Sequence, residues 1–254
     1  GKVLLASTPK EKNWFYDYFN NTSEGFKSIK FTSYESGLPG DNIAEVDRQK
    51  QLLPRAIFEN EYMAEFIDGS RGMFELERIT FAKQNTISDK QGVIAGIDWG
   101  FTNDYTVLVI LNTNKEVCYI NRWKNVGTHE LIPQLTNALK TYGNPFVYAE
   151  TNGIGSFPTD DLKRVYGAVK GFTTTASNKT EMIMKLANHL LTPKAEDKLK
   201  LPDVEYLKEE FENFGFRYEN GGMKFGNMKA DIHDDTVMAT AIANYHFERF
   251  SLSF

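Results

Sequence analysis

An antiparallel run of three strands, followed by strands that alternate with helices, predicts an α/β domain. Its mixed sheet should be ribonuclease H-like, with three antiparallel strands and then parallel ones, flanked by helices and extended by a β-hairpin. Three observations carry that expectation. Val93-Ile94-Ala95-Gly96-Ile97-Asp98 is a continuous apolar run that ends on an acid before Trp99-Gly100, as a strand buried on both faces would. Asn112-Thr113-Asn114 joins two further strand-like runs tightly enough to make them antiparallel. Phe146-Val147-Tyr148-Ala149-Glu150 repeats the first design, a short apolar run ending on an acid and breaking at Asn152-Gly153.

Residues 1–80 alternate strand and helix with too few strands for a sheet of their own, so they are expected to be the end of a larger α/β domain. The start at Gly1, straight into strand-like residues, points the same way. Val3-Leu4-Leu5-Ala6 reads as a strand, and Trp14, Phe15, Tyr18 and Phe19 recur at helical spacing, which predicts a helix with its aromatics in a core. A second strand is expected near Ile29 to Ser33. Gly37-Leu38-Pro39-Gly40 reads as a turn and Asp41 as the cap of a helix through about Gln49. Ile57 to Phe66 is another amphipathic stretch, closing at Asp68-Gly69. The polar segment 81–91, with Lys83-Gln84-Asn85 and Ser88-Asp89-Lys90-Gln91, is the expected linker to a domain over 92–254.

Within that domain the first strand ends at Asp98, and Thr106–Leu111 and Val117–Trp123 follow as the antiparallel pair. Thr128 should cap a helix through about Tyr142, with Leu131, Leu135, Ala138 and Leu139 on one face and Gly143 at its end. The strand ending at Glu150 leads to a short helix, Thr159 to Tyr166, and a fifth strand, Val169 to Thr174. Asn178 should cap the next helix, which carries Met182, Ile183, Leu186 and Leu190. After a helix over Val204 to Phe214, Asn220-Gly221-Gly222 turns a hairpin between Phe216–Glu219 and Met223–Phe225. The last helix starts at Asp234 or Asp235 and places Ala239, Ile242 and His246 on one side. Its small residues Ala239, Ala241 and Ala243 should let it approach the sheet closely.

The bulk numbers exclude several classes. With 254 residues, 41% apolar and 25% charged, the composition is that of an ordinary globular chain. The net charge of −5 argues against a uniformly basic nucleic-acid coat, so any such contact must be local. A single cysteine, Cys118, leaves no disulfide framework or cysteine-ligated zinc site, and its strand-like surroundings read as packing. No run of about 18 apolar residues indicates a membrane span. The P-loop pattern Gly-x-x-x-x-Gly-Lys-Ser/Thr is absent from the sequence, so ATP hydrolysis by a P-loop is not expected of this chain.

The chemistry lies in three acidic motifs far apart in sequence. If the strands ending at Asp98 and Glu150 are parallel neighbours, their carboxylates emerge side by side, and the last helix can bring His233-Asp234-Asp235 to the same mouth. Carboxylates gathered like this repel one another unless cations lie between them, which predicts a divalent-metal site. Two Mg2+ or Mn2+ ions about 3.5–4 Å apart can activate a water and steady the leaving oxygen of a phosphodiester. Asp98 is the expected bridging ligand, with Glu150 on one ion and Asp235 on the other. Asp234 competes with Asp235, because one of the pair must begin the helix. Each acid also has a bland alternative, as turn residue, strand-end cap or helix cap; their coincidence in this strand order favours the metal. Asp104 is expected behind the ligands as a loop-structuring acid, and His233 as an orienting group or a surface histidine. Lys179, at a helix start, reads either as a contact for substrate phosphate or as a solvated lysine. Between Gly215 and Ala230, Arg217, Lys224 and Lys229 against Glu219 make the hairpin basic, either a grip on a phosphate backbone or a solvated ribbon.

Ile97-Asp98-Trp99-Gly100 with Asp104, then Tyr148-Ala149-Glu150, then His233-Asp234-Asp235-Thr236-Val237-Met238-Ala239 resemble the three acidic motifs of the nuclease domain in the large terminase subunit of tailed bacteriophages. Leu4-Leu5-Ala6-Ser7-Thr8-Pro9 resembles that family's motif coupling ATP hydrolysis to movement. Asn60–Phe66 with Gly72-Met73-Phe74 looks like the passage from motor to nuclease. The resemblance implies that 1–80 is the C-terminal remnant of a P-loop motor and 92–254 a nuclease that cuts concatemeric viral double-stranded DNA. The implied partners are the small terminase subunit and the portal protein, in the host cytoplasm and away from any membrane, with ATP used only by the missing motor part. In relatives the hairpin affects DNA access, a role that would fall to Arg217 and Lys224. Two other readings stand beside this one. Asp98-Trp99-Gly100-Phe101-Thr102 also looks like the first phosphate loop of actin-like or sugar-kinase-like ATPases, but the second glycine-rich loop is missing. The third is a catalytically silent module that docks DNA or portal.

Overall fold

The computed structural model describes residues 1–36, 43–83, 89–100, 104–153, 155–219 and 222–251. Its N-terminal part contains α1 (Trp14–Phe19), α2 (Ile43–Leu52) and α3 (Arg55–Glu61), then the two-residue strands β1 (Arg71–Gly72) and β2 (Phe81–Ala82). The strands expected at Val3–Ala6 and Ile29–Ser33 do not form. A strand needs a partner ladder, and these residues are left out of every sheet described, with Leu4 92% and Phe31 66% exposed. The helix over Trp14–Phe19 forms, but not around a core: it buries none of its residues, and its aromatics pack on one another and on Phe66. The second amphipathic stretch is helical only as far as Glu61. The turn Gly37–Gly40 and the cap Asp41 lie outside the described residues, as do 84–88 of the expected linker.

The remaining elements are β3 (Gly92–Asp98), β4 (Tyr105–Asn112), β5 (Val117–Lys124), α4 (Thr128–Thr141), β6 (Phe146–Glu150), α5 (Ser156–Tyr166), β7 (Val169–Phe172), α6 (Ala176–Leu191), β8 (Leu201–Pro202), α7 (Glu205–Asn213), β9 (Phe214–Glu219), β10 (Gly222–Asn227) and α8 (Asp235–Ser251). The central sheet runs β5-β4-β3-β6-β7. β3, β4 and β5 are antiparallel, and β6 and β7 join parallel, with Ile97 opposite Ala149 and Glu150 opposite Phe172. This is the predicted order. α4 and α5 cover one face through Leu131, Leu135, Leu139 and Leu162, while α6, α7 and α8 cover the other through Met182, Leu186, Phe211 and Ile242.

Two helix starts differ from expectation. Thr128 is the first residue of α4, and Gly127 stands in the cap position without a side-chain bond. Thr175 caps α6, and Asn178 is its reciprocal partner three residues on, completing a capping box. The hairpin forms as expected, its turn at 220–221 outside the described residues, and β1 joins β9 on its other side. Buried Asn60 ties the N-terminal part to the hairpin: it donates to the carbonyls of Pro9 and Glu65 and accepts from the Tyr218 hydroxyl at 3.1 Å.

Candidate functional site

β3 and β6 are hydrogen-bonded parallel neighbours, so their last residues, Asp98 and Glu150, leave the sheet at the same end. α8 reaches that end by crossing β3 at Gly96. A Cβ on Gly96 would lie 2.2 Å from the Ala239 carbonyl oxygen and 2.6 Å from the Ala243 backbone nitrogen, so only glycine permits the crossing. The approach brings Asp234 and Asp235 to the strand ends. The turn after Asp98 is pinned from both sides. The Trp99 indole donates to the Thr159 hydroxyl at 2.9 Å, and the Gly100 N–H donates to Thr106 at 3.1 Å. Asn152 ties the segment after Glu150 to Thr174 by two bonds of 2.7 Å.

The carboxyls feel one another. Burial raises Asp98 well above the usual aspartate range, and the Glu150 charge, a hydrogen bond with Glu150, and the charges of Asp235 and Asp234 push the same way. Asp235, 8% exposed, is pushed up to about 6, chiefly by burial, against the Tyr105 N–H that donates to its Oδ2 at 2.8 Å. Burial also raises Asp234, and the positive charge of Lys179 opposes the rise. Three aspartates raised in this way, with the Glu150 carboxyl beside Asp98, make a cluster of the kind that a divalent cation would relieve.

Asp104 and His233, expected behind the ligands, are drawn in as well. The His233 Nδ1 lies 3.2 Å from Asp104 and 3.7 Å from Asp235, and one ligand atom from each of the three falls within 4.8 Å of the others. The Tyr105 ring meets the His233 ring edge to face at 5.1 Å. Of the expected phosphate contacts, Lys179 is near enough for its charge to act on Asp234. Arg217 and Lys224 are cross-strand partners on β9 and β10, and both engage Glu219, at 3.3 and 2.7 Å, so part of the hairpin's charge is neutralised internally. A Cβ on Gly226 would lie 4.0 Å from an Asp234 oxygen, which puts the base of the hairpin beside the cluster. Lys229 is exposed between β10 and α8.

Sequence reasoning missed the supports of the cluster. Glu210 of α7, 2% exposed, accepts from the Thr236 N–H at 2.7 Å and hydroxyl at 2.6 Å, and pairs with Arg122 of β5 at 3.2 Å. Burial pushes Glu210 up to about 7, against the Thr236 bonds and the Arg122 charge. Its signal was in the sequence: Glu210 stands three residues after Leu207 and just before Phe211, an acid on the apolar stripe of a helix. The Tyr105 backbone donor carries no such signal.

No protein-family model matches the chain. It is 26% identical over 98% of its length to the large terminase subunit of Thermus virus P23-45, and 25% identical over 98% to that of Thermus phage G20c. The chain spans about half the length, 56%, of these curated relatives. Among solved structures it resembles the large terminase nuclease from thermophilic phage G20c, with TM-score 0.56 and 18% identity over 67% of this chain and 95% of that one. The same nuclease with bound magnesium gives TM-score 0.57 and 19% identity over 67% and 94%. The nuclease domain of the Thermus phage P74-26 large terminase gives 0.55 and 19% over 68% and 93%. At these identities the structures speak for the fold, and the sheet described above is ribonuclease H-like.

Proposed function

We propose that this chain, similar over 98% of its length to large terminase subunits, contains the metal-dependent endonuclease of such a subunit, cutting concatemeric viral double-stranded DNA with little sequence preference during genome packaging. The observation that supports this most is the meeting of Asp98, Glu150, Asp234 and Asp235 at one end of the sheet, with their charges acting on one another.

The donor set fits Mg2+ or Mn2+, which prefer carboxylate oxygen, with the imidazole of His233 beside Asp104 and Asp235. Asp98, Glu150, Asp235 and Asp234 would hold the ions. Two such ions supply an activated water and charge neutralisation at a scissile phosphodiester. The chain's own residues do the rest. Tyr105 N–H orients Asp235, Trp99 fixes the turn that presents Asp98, and Lys179 stands by Asp234 where a phosphate oxygen would add negative charge. Arg217, Lys224 and Lys229 offer the duplex backbone further cations beside the cluster.

In this reading residues 1–80 are the end of the ATPase motor, 81–91 the connection and 92–254 the nuclease. ATP turnover is not expected of this chain alone. The small terminase subunit and portal protein are the proposed partners, and the host cytoplasm the place of action. No helix among the described residues is long and apolar enough to cross a membrane. The test is cleavage of supercoiled plasmid by the purified chain. Nicking and linearisation with Mn2+ or Mg2+, none with EDTA, and none by a folded Asp98→Asn variant are expected; metal-independent cutting, or full activity in Asp98→Asn, overturns the assignment.

A further inference from the structure

Helix α8 begins with residues that ordinarily cap helices through their own carboxylates. Here that task is done from another helix. The Thr236 N–H, one of the first-turn donors without an intrahelical acceptor, is held by Glu210 of α7, which takes the Thr236 hydroxyl with the same oxygen. The Asp235 Oδ2 is turned instead toward the Tyr105 N–H of β4, and the Asp234 carboxyl takes its own backbone N–H. The other oxygen of Glu210 faces Arg122, whose guanidinium lies between the rings of Tyr105 and Tyr206 at 4.2 and 4.1 Å. The contacts close a ring: Asp235 to Tyr105, Tyr105 to Arg122, Arg122 to Glu210, Glu210 to Thr236, and Thr236 back to Asp235 along the chain.

We infer that Glu210 and Arg122 are positioning residues: by capping α8 from outside, Glu210 frees the aspartates at its start for a metal ion, and Arg122 holds Glu210 and Tyr105 in register. This rests on the metal-nuclease reading above. Several features make the device specific. Glu210 is the one acid among the buried residues of α7, Leu207, Glu210, Phe211 and Asn213, so nothing about α7 itself calls for a charge there. Arg122 lies in the same lateral row of the sheet as Asp98, with Val107 between them, so the pair buttresses the strand ends at the level of the cluster. A carboxylate is needed, because its two oxygens must accept from both sides. A carboxamide would satisfy Thr236 with its oxygen but turn its N–H donors on the Arg122 guanidinium.

The test is Mn2+ affinity, read from the free-ion electron paramagnetic resonance signal during titration of the wild-type chain and Glu210→Gln. Residues that orient metal ligands from behind typically cost 10- to 100-fold in affinity when changed, so a loss of about tenfold or more is expected in Glu210→Gln. Cleavage by the variant should fall at limiting Mn2+ and recover at saturating Mn2+, a split that simple loss of stability does not produce. Ala138→Gly, which weakens α4 on the other face of the sheet, should lower the melting temperature and leave the affinity unchanged. If the wild type binds Mn2+ and Glu210→Gln binds it equally well, the inference is overturned while the nuclease reading stands. If the wild type binds none, the nuclease reading itself fails. Should circular dichroism show Glu210→Gln unfolded, the partly exposed Arg122→Gln decides: a smaller loss, about threefold or more, supports the device, and unchanged affinity overturns it.

Discussion

Replacing Asp235 by Asn should make the metal-free protein more stable at neutral pH. The residue is 8% exposed and its carboxyl is moved from the ordinary 3.8 to about 6. The folded state therefore holds this proton more tightly than the unfolded chain. Stability is fully present below pH 4 and is lost as pH rises through 6. At about 1.36 kcal/mol per tenfold change in proton affinity, the loss is about 3 kcal/mol, and water in the open side of the cleft should reduce it to about 2 kcal/mol. Asn keeps the oxygen that accepts from Tyr105 and removes the charge, so the variant escapes the loss. For a chain of this size about 2 kcal/mol corresponds to roughly 4–8 °C in melting temperature. Denaturant melts in EDTA at a series of pH values measure the gap directly. It should be small at pH 4 and widen to its full value by pH 7. A variant no more stable than wild type at pH 7, or a gap that ignores pH, would refute the claim that burial, with neighbouring carboxylates adding to it, makes the ionised Asp235 costly in the metal-free protein.

The other predictions follow from the same geometry. Mn2+ at about one hundred times its dissociation constant should stabilise the wild type by about 2.7 kcal/mol, and differential scanning calorimetry should find no such shift in Asp98→Asn. Gly96→Ala places a methyl against the backbone of Ala239 and Ala243, so it should lower stability by about 1–3 kcal/mol in urea melts and weaken Mn2+ binding as α8 moves outward. If Arg217 and Lys224 reach phosphates, the double alanine variant should flatten the salt dependence of duplex binding, with the log–log slope falling by about 0.9 for each lost contact in a fluorescence titration. An unchanged slope would assign the hairpin cations to their partner Glu219 alone.

The contrast between the two parts of the chain shows where sequence reasoning holds. β3, β4 and β6 are continuous apolar runs of five to eight residues bounded by turns, and such runs have few alternatives in a globular chain. The acids at their ends stood out because charge at the exit of a buried strand is uncommon. The crossing of α8 was legible too, since Gly96 and the alanines Ala239 and Ala243 are small where backbones meet. By contrast, Trp14 and Tyr18 have the spacing of a buried stripe and are exposed, because spacing fixes a face and not what covers it. Caps slipped by one to three residues at Thr128 and Asn178, where several good capping residues adjoin. Asp104 and His233 were expected behind the ligands, but that His233 lies 3.2 Å from Asp104 and 3.7 Å from Asp235 cannot be derived from the composition of the segments that carry them. Glu210 and Arg122 belong to a network assembled from four elements, and only the folded chain shows it.

The central claim is that Asp98, Glu150 and Asp235 hold divalent ions between them. Anomalous diffraction from a crystal of this chain soaked in Mn2+ tests it most directly. Two peaks touching Asp98, one shared with Glu150 and the other with Asp235, are the predicted result; no peak there, or peaks only elsewhere on the surface, would contradict it.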